Sequence, residues 1–354
     1  MSKRIIALLL ALVMVFALCA CGNGGNGGNS AGTEDVGDET YTIRIACENS
    51  DSYPATLGLY QMEKYVESHT NGKVQVEVCA SGQLGGEEET LEQVAQGNLE
   101  MAVASFAPVV SYVPEFEVMD IPFVYNSYTE AWMVLDSYVG TNLLDKMETQ
   151  GLKGMAYMEN GMRQVTSNVS AINSVADFKG VKLRTMQNNN HMESFSALGA
   201  NPTPVAFSEL YISLSQKVVD AQENPIANVT DKKLYEVQKY LSLTNHIYDA
   251  MPLVCNLEFF NSLPQAYQKV VQAGAIYAQE FSRFCNLERE DLILADLADK
   301  YGMQINEVSA DARAEMAKVA QPAVIKLVAK DIGQDAVDQY MNDVKDVLAQ
   351  ISKF

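Results

Sequence analysis

"LKGMAYMENGMRQVTSN", residues 152–168, decides how this chain is folded. It lies between two stretches that each alternate strand and helix, and it reads as the segment in which the chain crosses from one unit to the other. It also carries Arg163. A second arginine, Arg184, ends the run "GVKLRTM" at 180–186, which otherwise reads as a buried strand. A buried charge is costly unless a partner meets it. Each arginine therefore needs either a protein carboxylate or something brought from outside.

Upstream of the crossing, "YTIRIAC" (41–47) alternates as a strand, and "SYPATLGLYQMEKYVESHT" has its apolar residues at helical spacing. A strand in "NGKVQVEVCASGQLGG", a helix from about Glu87 to Gln96 and the strand-like "LEMAVAS" follow. A further strand or loop and a helix containing Trp132 complete one α/β unit by about Glu159. Downstream, "VADFKGVKLRTM", a helix in "NNHMESFSALGA", a turn in "NPTPVAFSELYISL", the segment "KVVDAQENP", a helix through "IANVTDKKLYEV" and the strand "KYLSLTNHIY" form a smaller α/β unit. "MPLVCNLEFFNSLP" reads as a strand returning to the first unit. From Pro264 the pattern is helical, and Pro322 should start or kink a helix. The expected domains are 41–161 with about 250–289, and about 162–249 with the C-terminal helices of 290–354. More than one crossing between them places a cleft where ligands bind.

The beginning has a different character. "MSKRIIALLLALVMVFALCACGN" opens with Lys3 and Arg4, then runs apolar from Ile5 to Ala20, as a short export signal over residues 1–20 would. "LCAC" at 18–21 looks like a lipobox, with Cys21 as the lipidated residue and 21–40 as a flexible tether. The net charge of -20 disfavours nucleic acid as a partner. Cys47, Cys79, Cys255 and Cys285 permit either disulfides or buried thiols, and no C-x-x-C supports a redox or zinc motif. The three histidines, His69, His191 and His246, form no H-E-x-x-H, and G-x-S-x-G is missing. No catalytic residue, metal ligand or cofactor site is assigned.

What remains is the chemistry of anion binding. A guanidinium at Arg184 or Arg163 can hold a carboxylate through two parallel, charge-assisted hydrogen bonds. Asn224 in "DAQENP" is an amide for the same ligand or a helix cap, and Phe207 is an apolar wall or core. Glu87 and Glu88, in "GGEEE" at 85–89, suit a helix start and equally suit a ligand hydroxyl. Asn188 to Asn190 read either as hydroxyl-binding amides or as the cap of a helix. His246 and Tyr248 read as structural.

Taken in order, "SGQLGGEEETLEQVAQGNLEMAVAS", "NGMRQVTSN", "VADFKGVKLRTM", "ALGANPTPVAFSELY", "VVDAQENPIANV" and "YLSLTNHIY" resemble the DctP-type extracytoplasmic solute receptors of tripartite ATP-independent periplasmic (TRAP) transporters. The resemblance covers nearly everything from Tyr41 onward. It implies a periplasmic-binding-protein-like α/β fold, with two α/β domains around a ligand cleft and long C-terminal helices. It further implies that a small organic acid anion is captured and passed to the small and large membrane subunits of a permease, with no cofactor and no enzymatic step. On this resemblance Arg184 salt-bridges the ligand carboxylate, Arg163, Asn224 and Phe207 line the pocket, and an acid after "QLG", one of Glu87, Glu88 and Glu89, contributes. Two departures are Lys217 and Ala221, where such receptors usually carry glycine. Ala221 is expected to narrow the pocket. The lipobox implies attachment to the extracytoplasmic face of the cell membrane. The expected solute is a sugar acid such as a uronate, with a C4-dicarboxylate or a 2-oxo or hydroxy acid as alternatives. A ligand-presenting subunit of a sensor and an exported enzyme acting on small carboxylates are the rival readings.

Overall fold

The computed structural model describes residues 39–350, so the expected signal, Cys21 and almost all of the tether lie outside the described residues. The first lobe begins with β1 (Tyr41–Ala46), α1 (Pro54–His69), β2 (Val74–Cys79), α2 (Glu87–Ala95) and β3 (Met101–Val103). Helix α1 starts at Pro54, where a missing N–H costs nothing, and buries Leu59, Met62 and Val66 at three- and four-residue spacing. Helix α2 starts with three glutamates beside its free backbone donors. A short α3 (Phe106–Val109), a 3-10 helix (Pro114–Asp120), α4 (Tyr128–Leu135) and α5 (Tyr138–Lys146) cover the sheet.

The segment that opened the sequence reading is one strand, β4 (Leu152–Ser167). The second lobe follows with β5 (Lys182–Thr185), α6 (Asn189–Ala197), β6 (Asn201–Pro204), α7 (Leu210–Ser215), β7 (Ala221–Pro225), α8 (Ile226–Asp231) and β8 (Tyr240–Leu243). The chain then passes through β9 (Tyr248–Asn256), α9 (Leu257–Ser262), α10 (Gln265–Asp299), β10 (Gln304–Glu307), α11 (Ala310–Ile332) and α12 (Gln334–Leu348).

Strand order is β2-β1-β3-β9-β4-β7-β5-β6, with β8 on β4 and β10 on β8. The earlier part of β4 pairs antiparallel with β9, from Leu152↔Asn256 to Met162↔Tyr248. From Arg163 onward it pairs instead with β7 and then β8. One strand thus belongs to both lobes, and the change of partner falls at the arginine. Register shifts beside Gly154 and Gly161 accommodate the change. Gly161 has φ of +127°, a conformation that a side chain would strain.

Helix α10 serves both lobes: Val271 and Ala275 pack with α1, whereas Leu297 packs with Leu210 and Val229. Met316 and Ala320 of α11 join Phe178 and Phe195 in the second lobe. Val324 and Val328 of the same helix, with Val337, Tyr340 and Val344 of α12, join Phe106 and Phe116 in the first. The last helix, which the expected boundary gives to the second unit, therefore packs in the core of the first.

Several local expectations change. "NPTP" forms edge strand β6 beside β5 rather than a turn, and β10 interrupts a region read as helical. Of the two expectations for Pro322, the helix start does not hold, since it sits inside α11. Ala221 is buried among Val165, Leu183 and Phe178 in the core, so its methyl does not narrow the cavity. Exposed Lys217 has φ of +59°, a left-handed turn that glycine would adopt without strain. The four cysteines of the described residues are buried free thiols.

Candidate ligand-binding site

Between the lobes lies a cavity of about 260 Å³. It opens where the carboxyl ends of β1, β3 and β5 converge, the usual place for a ligand in an open α/β sheet. Arg184, Arg163, Asn224, Phe207, Glu87 and Glu88 all line it.

The two arginines meet different surroundings. Arg163 has protein partners: Nε and Nη2 grip the Glu223 carboxylate, and Nη1 donates to Asp249 Oδ2 at 2.7 Å. Nη2 also donates to the Glu223 carbonyl at 2.8 Å. Burial opposes its charge, but Glu223 and Asp249 hold its pKa above the ordinary value. Glu223 accepts from His246 as well, and Arg163 and both His191 and His246 keep its carboxyl well below the usual range despite burial. His246 and Tyr248 are structural, Tyr248 donating to Glu159 Oε2 at 2.9 Å.

Arg184 is 2% exposed, yet has few partners. Its Nε donates to the Val205 carbonyl at 2.8 Å, and Nη1 is buried with no hydrogen-bond partner. Burial pushes its pKa down to about 10, partly offset by Glu223, Glu48 and Glu87. A buried donor left unused is expensive, and this one belongs to a residue lining the cavity.

An amide chain crosses the cavity wall. Asn49 donates to Asn228 Oδ1 at 3.0 Å, and Asn228 donates to Asn224 Oδ1 at 3.1 Å and to Asn160 Oδ1 at 3.2 Å. Phe207 forms an apolar rim under Lys232, whose Nζ lies 4.5 Å from the ring centre. Glu88 is exposed and accepts from Gln187 at 3.3 Å, a contact between the lobes. Glu87 accepts from Ser105 Oγ at 2.9 Å; burial and neighbouring Glu48 push its pKa up to about 8.

Asn188 to Asn190 do not line the cavity. Asn188 accepts from the backbone of Asn190 and His191, capping α6, and its amide donates to Asp120 at 2.8 Å. The cap reading holds for them. Glu48, Asn49, Asn160 and Asn228 escaped the sequence reading. Glu48 and Asn49 follow β1 after one intervening residue, and Asn228 stands three residues past the end of β7. Position just past a strand end is the signal that marks Glu48, Asn49 and Asn228. No cluster of metal-ligating side chains occurs among the described residues.

The sequence profile of the DctP family, described as bacterial extracellular solute-binding protein, family 7, matches residues 45–331. The C4-dicarboxylate-binding periplasmic protein DctP of Rhodobacter capsulatus is 31% identical over 302 residues, 84% of this chain and 90% of that one. The sugar acid binding protein of Advenella mimigardefordensis, solved with galactonate, superposes with a TM-score of 0.83 at 31% identity, covering 87% of this chain and 99% of that one. A TRAP periplasmic solute binding protein from Polaromonas, bound to D-erythronate, gives 0.80 at 33% identity, covering 85% and 98%.

Proposed function

This chain belongs to the bacterial extracellular solute-binding proteins of family 7, and from that premise we propose that its solute is a hydroxylated monocarboxylate, a sugar acid of the aldonate or uronate kind. At family level it is an extracytoplasmic receptor that binds a small organic acid for a TRAP permease, a transport role rather than a catalytic one. The observation that carries the proposal is the buried, unpartnered Nη1 of Arg184 in the cavity wall. A carboxylate seated there takes the unused donors in a charge-assisted pair. Arg163, committed to Glu223 and Asp249, holds the wall in place and leaves Arg184 as the anion's principal partner.

The remaining lining favours hydroxyls, because Asn49 keeps a donor beside its bond to Asn228, and Asn228 and Ser105 keep acceptor lone pairs. By proportion to the ~150 Å³ cavity that takes up benzene, this one has room for roughly ten non-hydrogen atoms. Sugar acids of four to six carbons span that size. The galactonate- and erythronate-bound relatives support the reading, and the Rhodobacter relative's name supports a C4-dicarboxylate as the second one. Ligand contacts with both lobes favour closure by differential affinity, and the closed form is what a permease receives. On the same proposal Cys21 carries the lipid and residues 21–40 tether the receptor to the outer face of the cell membrane.

A thermal-shift screen of protein stripped of carried-over ligand tests this. Aldonates or uronates raise the melting temperature by mass action, and more than succinate or malate does. Shifts with dicarboxylates alone overturn the sugar-acid reading; silence across every acid overturns the role given to Arg184.

A further inference from the structure

We propose that Glu48 and Glu87, paired on the first lobe's side of the cavity, decide which acids the site admits: they receive ligand hydroxyls and refuse a second carboxylate. The inference rests on the reading that Arg184 holds the ligand carboxylate. Glu48 follows β1 and is 8% exposed; Glu87 opens α2. The backbone N–H of Glu87 donates to Glu48 Oε2 at 3.4 Å, which seats the Glu48 carboxylate at the start of α2, and both side chains line the cavity. The unpartnered Nη1 of Arg184 belongs to a residue lining the same cavity.

A ligand anchored at Arg184 therefore shares one cavity with two carboxyl groups. Hydroxyls suit them, since an O–H donates to a carboxylate and the hydroxyl oxygen accepts from a protonated carboxyl. A second carboxylate can accept only from whichever carboxyl holds a proton, and it meets like charge at the other in a poorly solvated site. Arg163 gives no relief, because Glu223 and Asp249 already use it. Selectivity then comes from repelling the wrong ligand as much as from holding the right one.

The charged groups facing the pair are Arg184 from β5, Lys232 beyond α8, Glu88 on α2 and Asp249 on β9. Burial and Glu48 push Glu87 up to about 8, so the pair sheds a proton as pH rises through about 8. The refusal sharpens as pH rises through that window.

The test compares matched probes on the purified, ligand-stripped protein by isothermal titration: D-erythronate against succinate, and gluconate against adipate. Each pair shares its carbon number and differs in hydroxyls against a second carboxylate. The wild type binds the hydroxy acid of at least one pair tenfold or more tighter. In the Glu48→Gln/Glu87→Gln double variant that ratio falls at least tenfold, mainly through tighter dicarboxylate binding. Without any variant, raising the pH from 7 to 9 increases the ratio, because the added charge acts alike on the carboxylate both probes place at Arg184 but opposes the second carboxylate, whereas hydroxyls still donate to it. A hydroxy-acid preference unchanged in the double variant, or unchanged by pH, overturns this proposal and leaves the Arg184 reading intact. A wild-type preference for dicarboxylates overturns it too, whereas no binding of either class overturns the Arg184 reading first.

Discussion

Arg163 and Arg184 pose the same question in the sequence and receive opposite answers. Both are fully buried, but only Arg163 has carboxylates waiting for it. Replacing it by alanine leaves Glu223 and Asp249 buried and unpaired, and breaking a buried pair in this way costs about 3–5 kcal/mol. Urea unfolding of Arg163→Ala should show that loss in stability; a change below about 1 kcal/mol contradicts the account of its partners. The cost of burying charge made both arginines legible without a structure. Nothing in the sequence told which one was already paired, because Glu223 and Asp249 lie 60 and 86 residues away. Glu48, which lines the cavity, went unread for a related reason: it lies just past a strand, and strand ends gain meaning only once the sheet order is known.

Elements were legible where burial leaves a period and not where it removes one. Helix α1 buries one face and was evident, whereas β4 is covered on both faces over most of its length and shows no alternation. Its crossing role was read from its place between two α/β stretches. Strand β6 was missed because Pro202 and Pro204 argue against a strand, yet an edge strand tolerates proline where the absent N–H would face outward. Close approach of elements also fixes small residues. A Cβ on Gly58 of α1 would stand 2.5 Å from the Ala278 carbonyl of α10 and 2.8 Å from Met158. Gly58→Ala should therefore cost about 1–3 kcal/mol through overpacking. An unchanged denaturation midpoint would mean that α1 and α10 are free to separate.

Across the whole molecule, buried ionisable groups tie stability to pH. His191 is held up to about 9 against its burial by Asp120 and Glu223, so the folded state binds its proton more tightly than the unfolded state does. That contribution is complete below pH 6.5 and is lost as pH rises through about 9. Burial raises Glu87 to about 8 and Glu159 to about 7, and a carboxyl kept protonated by folding also loses stability as pH rises. His246 works the other way, its burial favouring the neutral ring. The ligand-free protein should melt at progressively lower temperature from pH 6.5 to 9, with a shallower fall in His191→Gln. A flat profile, or an unaltered slope in the variant, contradicts this balance of charges.

The central claim is that one guanidinium, left unpaired by the fold, holds the solute's carboxylate. Isothermal titration of wild type and Arg184→Ala with the acid that stabilises the protein most tests it directly. Losing two charge-assisted hydrogen bonds should weaken binding by roughly 3–5 kcal/mol, at least a hundredfold, while the variant stays folded. An affinity within tenfold of wild type, in a variant with an intact melting transition, would show that the carboxylate is held elsewhere.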